Sequence, residues 1–222
     1  MSPDDFIRAN AALIAPPLVP EIKLHLATEV VPLWKKTEEE LAQIGVPPPY
    51  WAFAWAGGQA LARYVLDNPA LVKGKRVLDI GSGSGLVGLA AARAGAAHVL
   101  AADIDRFACA AIALNAQANG IDIAATQDDV IGVPGGWDVI LVGDLFYERP
   151  LAERLLAWLT PMTVPVLMGD PGRSYFPKSG IERLTLYTVR TTRDLEDREI
   201  RETGVYALRP GNAAQFAVMP KD

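Results

Sequence analysis

Cysteine is nearly missing from this chain of 222 residues. The single Cys109 excludes an internal disulfide and a cysteine-rich zinc site. Its Ala-rich helical surroundings read it as a small buried hydrophobe. Histidine is almost as scarce. His25 and His98 stand far apart without a spacing such as H-x-x-x-H, so no metal site is expected. Positive charge is in deficit, with 21 Lys and Arg against 26 Asp and Glu, a net charge of −5. That gives no basic footprint for a phosphate-rich partner, and no nucleic-acid ligand is expected. No apolar run reaches the ~18 residues that would read as a membrane-spanning helix. The first residues lack the basic start of a signal peptide, because Asp4 and Asp5 come before any apolar run. Arg8 is the only basic residue before Lys23, which also makes a poor mitochondrial presequence. A cytoplasmic protein is expected. Repeats, low-complexity segments and linkers are absent, and the length suits one α/β domain over 1–222, with 1–70 as a helical and aromatic cap on a core of 71–222.

What is present centres on residues 76–105, RVLDIGSGSGLVGLAAARAGAAHVLAADID. Val77, Leu78 and Ile80 form a short apolar run that reads as a buried parallel strand. Gly81, Gly83 and Gly85 follow at alternate positions, then an Ala-rich helical segment over 86–94. A second apolar strand, 98–102, ends on Asp103. Together these make a nucleotide-type βαβ unit. Glycine permits a tight turn and close approach to a ligand, and the new helix points free N–H groups at it. Asp103 lies 22 residues after Gly81, close to the ~20-residue offset of a ribose-binding carboxylate. A dinucleotide fingerprint would need glycine where Leu86 stands, so an NAD enzyme is the weaker reading.

Along the rest of the chain, Ser2 and Pro3 open a helix over 1–15 that Pro16, Pro17 and Pro20 close. Residues 24–34 are apolar and suit an edge strand or packing beneath the core, and 37–45 read as a short capped helix. In 47–58, PPPYWAFAWAGG, three prolines impose extended backbone ahead of Tyr50, Trp51, Phe53 and Trp55. These rings read mostly as a plug over one sheet face, and in part as the lining of an apolar pocket. A helix over 59–66 ends at Asn68-Pro69. Asp105 caps a helix over 106–119 that Gly120 stops. Strands follow at 121–126, 137–142 and 164–168, with a helix over 151–159 between the last two. The nearly all-apolar 137–142 is the central one. Residues 184–192 and 204–208 alternate like antiparallel strands about a charged loop at 193–199, and 215–219 suit a further strand.

Acids stand at four strand ends: Asp79, Asp103, Asp129 and Asp144, with Asp128 a rival to Asp129. Parallel strands deliver such residues to one edge, where open sheets bind ligands. Asp144 and Tyr147 follow the central strand as Asp-Leu-Phe-Tyr. A carboxylate and a phenol there suit an amine acceptor, although Asp144 reads equally as a cofactor or backbone ligand.

The pattern Asp79-Ile80-Gly81-Ser82-Gly83-Ser84-Gly85 resembles the first motif of class I S-adenosylmethionine-dependent methyltransferases. With PPPYWAFAWAGGQALARYVLDNP, VGDLFYE and GDPGR, the chain from about 24 to 210 resembles bacterial lysine methyltransferases of the electron transfer flavoprotein β subunit. The resemblance implies a Rossmann-like seven-strand sheet, mostly parallel, with a C-terminal antiparallel hairpin and helices on both faces. It implies S-adenosylmethionine as cofactor, S-adenosylhomocysteine as product and the flavoprotein subunit as partner. Carried over by position, Asp144 and Tyr147 would be catalytic. Trp55, Asp79, Gly81, Ser82, Gly83, Gly85, Asp103, Ile104, Asp129 and Asp144 would bind the cofactor, with Asp79 on the methionine amine, Asp103 on ribose and Asp129 or Asp128 near adenine. A methyltransferase of another protein or of a small amine, and a non-catalytic module of the same fold, are the alternatives.

Overall fold

A computed structural model of the chain describes residues 2–27, 47–191 and 200–209. The expected helix over 37–45, the loop at 193–199 and the strand at 215–219 lie outside the described residues.

The main sheet has seven strands in the order β5-β4-β3-β6-β7-β9-β8. These are β3 (Arg76–Ile80), β4 (His98–Ala102), β5 (Ala124–Thr126), β6 (Val139–Gly143), β7 (Val166–Asp170), β8 (Ile181–Arg190) and β9 (Ile200–Leu208). The first five pair in parallel, and β9 pairs antiparallel with both β7 and β8. This is the expected sheet with its C-terminal hairpin. Strand β6 sits at the centre as its composition predicts, with Val139 to Val142 all buried. Each fully buried Val, Leu or Ile contributes roughly 1.5–3 kcal/mol.

Helices cover both faces. On one lie α2 (Ala56–Asp67), α3 (Leu86–Arg93) and the end of α4 (Arg106–Asn119), packed on Val77, Val139, Leu141 and Leu167. On the other, α5 (Arg149–Leu159) packs Leu155 and Leu159 on Leu78, Ile140 and Met168. Helix α2 falls within the 1–70 segment but packs directly on β7. A Cβ built on Gly57 would come 2.3 Å from the carbonyl oxygen of Gly169. Only glycine allows that backbone contact.

The caps of α4 agree with the sequence: Asp105 accepts from the N–H of Phe107, and Gly120 closes the helix at φ +62°. Other boundaries moved. The N-terminal helix α1 (Pro3–Asn10), capped by Ser2, ends well before residue 15. There the chain turns extended as β1 (Ala12–Ile14) and pairs antiparallel with β2 (Leu24–Leu26). Strand β2 thus belongs to a separate two-stranded ribbon and not to the edge of the main sheet. The strand expected over 121–126 is only β5, because Ile121 and Ile123 first pack back on the core. The aromatic stretch contains a 3-10 turn, Tyr50–Ala52, and its plug of Trp51 and Phe53 seats against Ile7 and Phe107 of α1 and α4, away from the sheet. Among the described residues no helix is long and apolar enough to cross a membrane.

Candidate functional site

Strand order reverses direction between β3 and β6, so their carboxyl ends open a crevice. A cavity of about 550 Å³ lies there, lined by the glycine turn, the aromatic stretch and the ends of β3, β4 and β6. That volume is in the range of ligand sites.

Gly81, Gly83 and Gly85 all have positive φ, at +61°, +54° and +84°. This is the left-handed region that glycine tolerates. A Cβ on Gly81 would strike Leu145 at 2.4 Å. The Gly83 N–H donates to Asp103 Oδ2 at 2.8 Å, and Asp103 Oδ1 accepts from the Asp105 N–H at 3.0 Å. The turn and the acidic strand end are therefore one unit. Burial pushes the Asp103 carboxyl above its ordinary value despite those two donors. Cys109, half-buried, donates its thiol to the Asp103 carbonyl, and burial pushes that thiol up to about 11.

Asp79 is 1% exposed. Its Oδ2 accepts from Ser82 Oγ at 2.5 Å and from the Gly88 N–H at 2.9 Å. Burial pushes this carboxyl up to about 7, opposed by those donors and assisted by the Asp103 charge. Gly88, which reads in the sequence as one position in a helix, does not line the cavity but holds Asp79 from behind. A Cβ there would lie 3.2 Å from Asp79 Oδ2.

Ile104, 70% exposed, lines the cavity beside Asp105. Asp128 and Asp129 both line it. Asp129 is engaged by Arg154 and by the Ile131 N–H, which holds its carboxyl below the ordinary range. Asp128 accepts from the Thr126 hydroxyl at 2.8 Å.

Asp144 has φ +60°, the only non-glycine residue with positive φ among those described. Its side chain points inward: Oδ2 accepts from the Gly57 N–H at 2.8 Å and Oδ1 from Arg173 Nε at 2.5 Å. Tyr147 lies at the cavity mouth, 42% exposed, and burial of its inner part pushes the phenol up to about 12. Trp55 is half-buried in the wall, with its indole N–H on the Tyr50 carbonyl at 2.9 Å. The Arg173 guanidinium carbon stands 5.7 Å from the Trp55 ring centre. The expected site residues thus line one cavity, except Gly85, which is turned to Ile112 of α4, 3.2 Å from a Cβ built on it.

Two members of this cluster, Asp170 and Arg173, escaped as functional candidates. Asp170 ends β7, and its Oδ1 accepts from the N–H groups of Gly172 and Arg173, both at 2.7 Å. Its Oδ2 is buried without a hydrogen-bond partner among the described residues. Burial and the neighbouring Asp144 charge push this carboxyl up to about 7. The strand-end rule that selected four acids applies equally to this fifth.

The charge balance of the cavity is its chemical signature. Six aspartates line it against two arginines, and each arginine is paired with one aspartate. The surplus favours cationic ligands.

A family model described as ribosomal protein L11 methyltransferase matches residues 59–142. The electron transfer flavoprotein beta subunit lysine methyltransferase of Xenopus laevis is 38% identical over 218 residues, 94% of this chain and 87% of the relative. Its namesake in Danio rerio is 42% identical over 186 residues, 81% of this chain and 71% of the relative. Magnesium protoporphyrin IX methyltransferase from Synechocystis PCC 6803, solved with bound SAH, shares the fold, with a TM-score of 0.51 at 18% identity over 68% of this chain and 81% of that one. Similarity at this level over most of both chains settles the family: the chain belongs to the electron transfer flavoprotein beta subunit lysine methyltransferases.

Proposed function

We propose that this protein transfers the methyl group of S-adenosylmethionine to lysine side chains of the electron transfer flavoprotein β subunit. The observation that carries the reading is one acidic cavity joining a nucleotide-type glycine turn to the Asp144–Tyr147 turn, in a chain of this family.

The cavity residues fit the cofactor. Asp103 offers the remaining lone pairs of its carboxylate to ribose hydroxyls, and Asp79 faces the methionine ammonium, which favours its ionised form. Asp128 suits the adenine amine better than Asp129, whose two oxygens already serve Arg154 and Ile131. Bound there, S-adenosylmethionine supplies an electrophilic methyl group on a sulfonium.

The acceptor must arrive as a neutral amine, whereas free lysine has a pKa near ~10.4. Tyr147 keeps its proton at working pH, and its oxygen accepts an amine N–H, which orients the nitrogen and leaves its lone pair free to attack the methyl carbon. Asp144 fixes the turn that carries Tyr147, held by the Gly57 N–H on one oxygen and Arg173 on the other. A reducing compartment such as the cytoplasm suits a free thiol such as Cys109.

The test is direct. Purified protein, S-adenosylmethionine and the flavoprotein β subunit are incubated, and the subunit is mapped by mass spectrometry. Methylated lysines are expected. A subunit left unmodified on every lysine would overturn the assignment.

A further inference from the structure

We propose that Tyr50 is a specificity-determining residue of the acceptor site, its ring packed on that of Tyr147 to form one aromatic wall along which the substrate lysine enters. The proposal rests on the lysine-methylation reading above.

The backbone aims Tyr50 at the site. It opens the 3-10 turn that follows three prolines, with its N–H on the Pro48 carbonyl at 2.8 Å. Its neighbour Trp51 is fully buried among Ile7 and Phe107, which anchors the turn from behind. Tyr50 projects the other way and remains 48% exposed on the cavity wall. Its carbonyl holds the Trp55 indole, so the two rings are positioned by one piece of backbone.

The rings form an ordered row. Arg173 lies 5.7 Å from the Trp55 ring centre, Trp55 is 6.0 Å from Tyr50, and Tyr50 is 5.7 Å from Tyr147 at a 49° tilt. The row begins at the Asp144–Arg173 ion pair and ends at the surface. Its inner end is therefore charged and its outer end aromatic.

That gradient selects an occupant. A lysine side chain is an apolar stem ending in an amine, and it suits an aromatic entrance to a cavity whose aspartates outnumber its arginines. An uncharged apolar ligand would strip water from the cavity aspartates without compensation, and an anion would be repelled by their surplus. Two half-exposed tyrosines contribute contact area at little entropic cost, because each has only two side-chain torsions.

The experiment begins with wild-type enzyme and the flavoprotein β subunit. Failure of the wild type to methylate would sink the functional reading itself. Given transfer, Tyr50→Ala should raise KM for the protein substrate by about tenfold or more while kcat stays within about threefold, the pattern of lost uniform binding. Calorimetric affinity for S-adenosylhomocysteine should stay within about twofold, since the ring touches the acceptor side of the cavity. Tyr50→Phe, which keeps the ring, should raise KM less than Tyr50→Leu, which keeps only bulk. An unchanged KM in Tyr50→Ala, or a loss of S-adenosylhomocysteine affinity that matches the change in KM, would overturn the assignment. Should the alanine variant fail to fold, wild-type KM in Tyr50→Leu overturns it equally.

Discussion

Replacing Asp79 by asparagine should stabilise the ligand-free protein at alkaline pH while weakening its hold on the cofactor. The carboxyl is 1% exposed, and two donors, Ser82 Oγ and the Gly88 N–H, converge on Oδ2. An amide oxygen in that place accepts both bonds, so the substitution removes chiefly the burden of a buried charge. Burial holds the folded-state value at about 7, against ~3.9 for an exposed aspartate in the unfolded chain. Between those values the folded protein binds the extra proton, so wild-type stability falls as pH rises through this window and levels off above it. From pH 5 to pH 8.5 the loss spans about two units, or roughly 3 kcal/mol. In a chain of this length that corresponds to roughly 6–12 °C in Tm. Asp170 titrates in the same window but is common to both proteins, so it drops out of their difference. Scanning calorimetry of wild type and variant across that range should show the variant gaining relative stability toward high pH. Curves that stay parallel would refute the reasoning. The same variant should bind S-adenosylhomocysteine more weakly at pH 8.5, because a charge-assisted hydrogen bond worth ~1.5–3 kcal/mol is lost.

Asp103→Ala removes a carboxylate that both braces Gly83 and faces the cavity, so S-adenosylhomocysteine affinity should fall about tenfold to a hundredfold by calorimetry. A wild type that prefers NAD would reverse that reading. Tyr147→Phe should lower kcat and kcat/KM together, with cofactor affinity intact, as expected for a contact made mainly in the transition state. Wild-type turnover at saturating substrate would remove Tyr147 from the chemistry. Gly57→Ala places a Cβ 2.3 Å from the Gly169 carbonyl oxygen and 2.9 Å from the Asp144 backbone nitrogen. Backbone lies on both sides, so urea unfolding should show a loss of at least ~3 kcal/mol. A variant as stable as wild type would mean that α2 can slide on β7.

Local chemistry explains which parts were legible in the sequence. The β3–turn–α3–β4 unit and both ends of α4 are set by glycine, a capping aspartate and short apolar runs within a few residues. These signals need no knowledge of distant chain. Strand β1 forms because β2 lies beside it, and nothing in Ala12–Ile14 itself announces that partner. Similarly, Arg154 meets Asp129 across 25 residues, and Arg173 meets Asp144 across 29. Both pairs are consequences of sheet order. Gly88 escaped because an alanine-rich helix hides a glycine whose purpose is the carboxylate pressed against it. The aromatic stretch was legible as a feature but not in its division of labour. The 3-10 turn buries Trp51 fully in the helical layer and leaves Tyr50 half-exposed on the cavity wall, and a one-residue difference in register separates the two roles.

Asp144 shows why charge and backbone geometry at this site are inseparable. An L-residue at φ +60° is uncommon, and aspartate is among the types that tolerate it. Such a conformation persists where the surroundings over-determine it. Here the Asp144 N–H donates to the Gly169 carbonyl at 2.9 Å, one carboxylate oxygen takes the Gly57 N–H, and the other takes Arg173. Strand β7, helix α2 and the loop after β7 therefore all hold one residue at the end of the central strand. That residue directs the turn from which Tyr147 emerges. Arg173 is fixed in turn by the Asp170 carboxylate on its own N–H and lies over Trp55. Displacing any one of these anchors moves the turn that carries Tyr147 together with the Asp144–Arg173 ion pair. In the proposed reaction, an acid at this position acts by where it holds the chain as much as by the charge it carries.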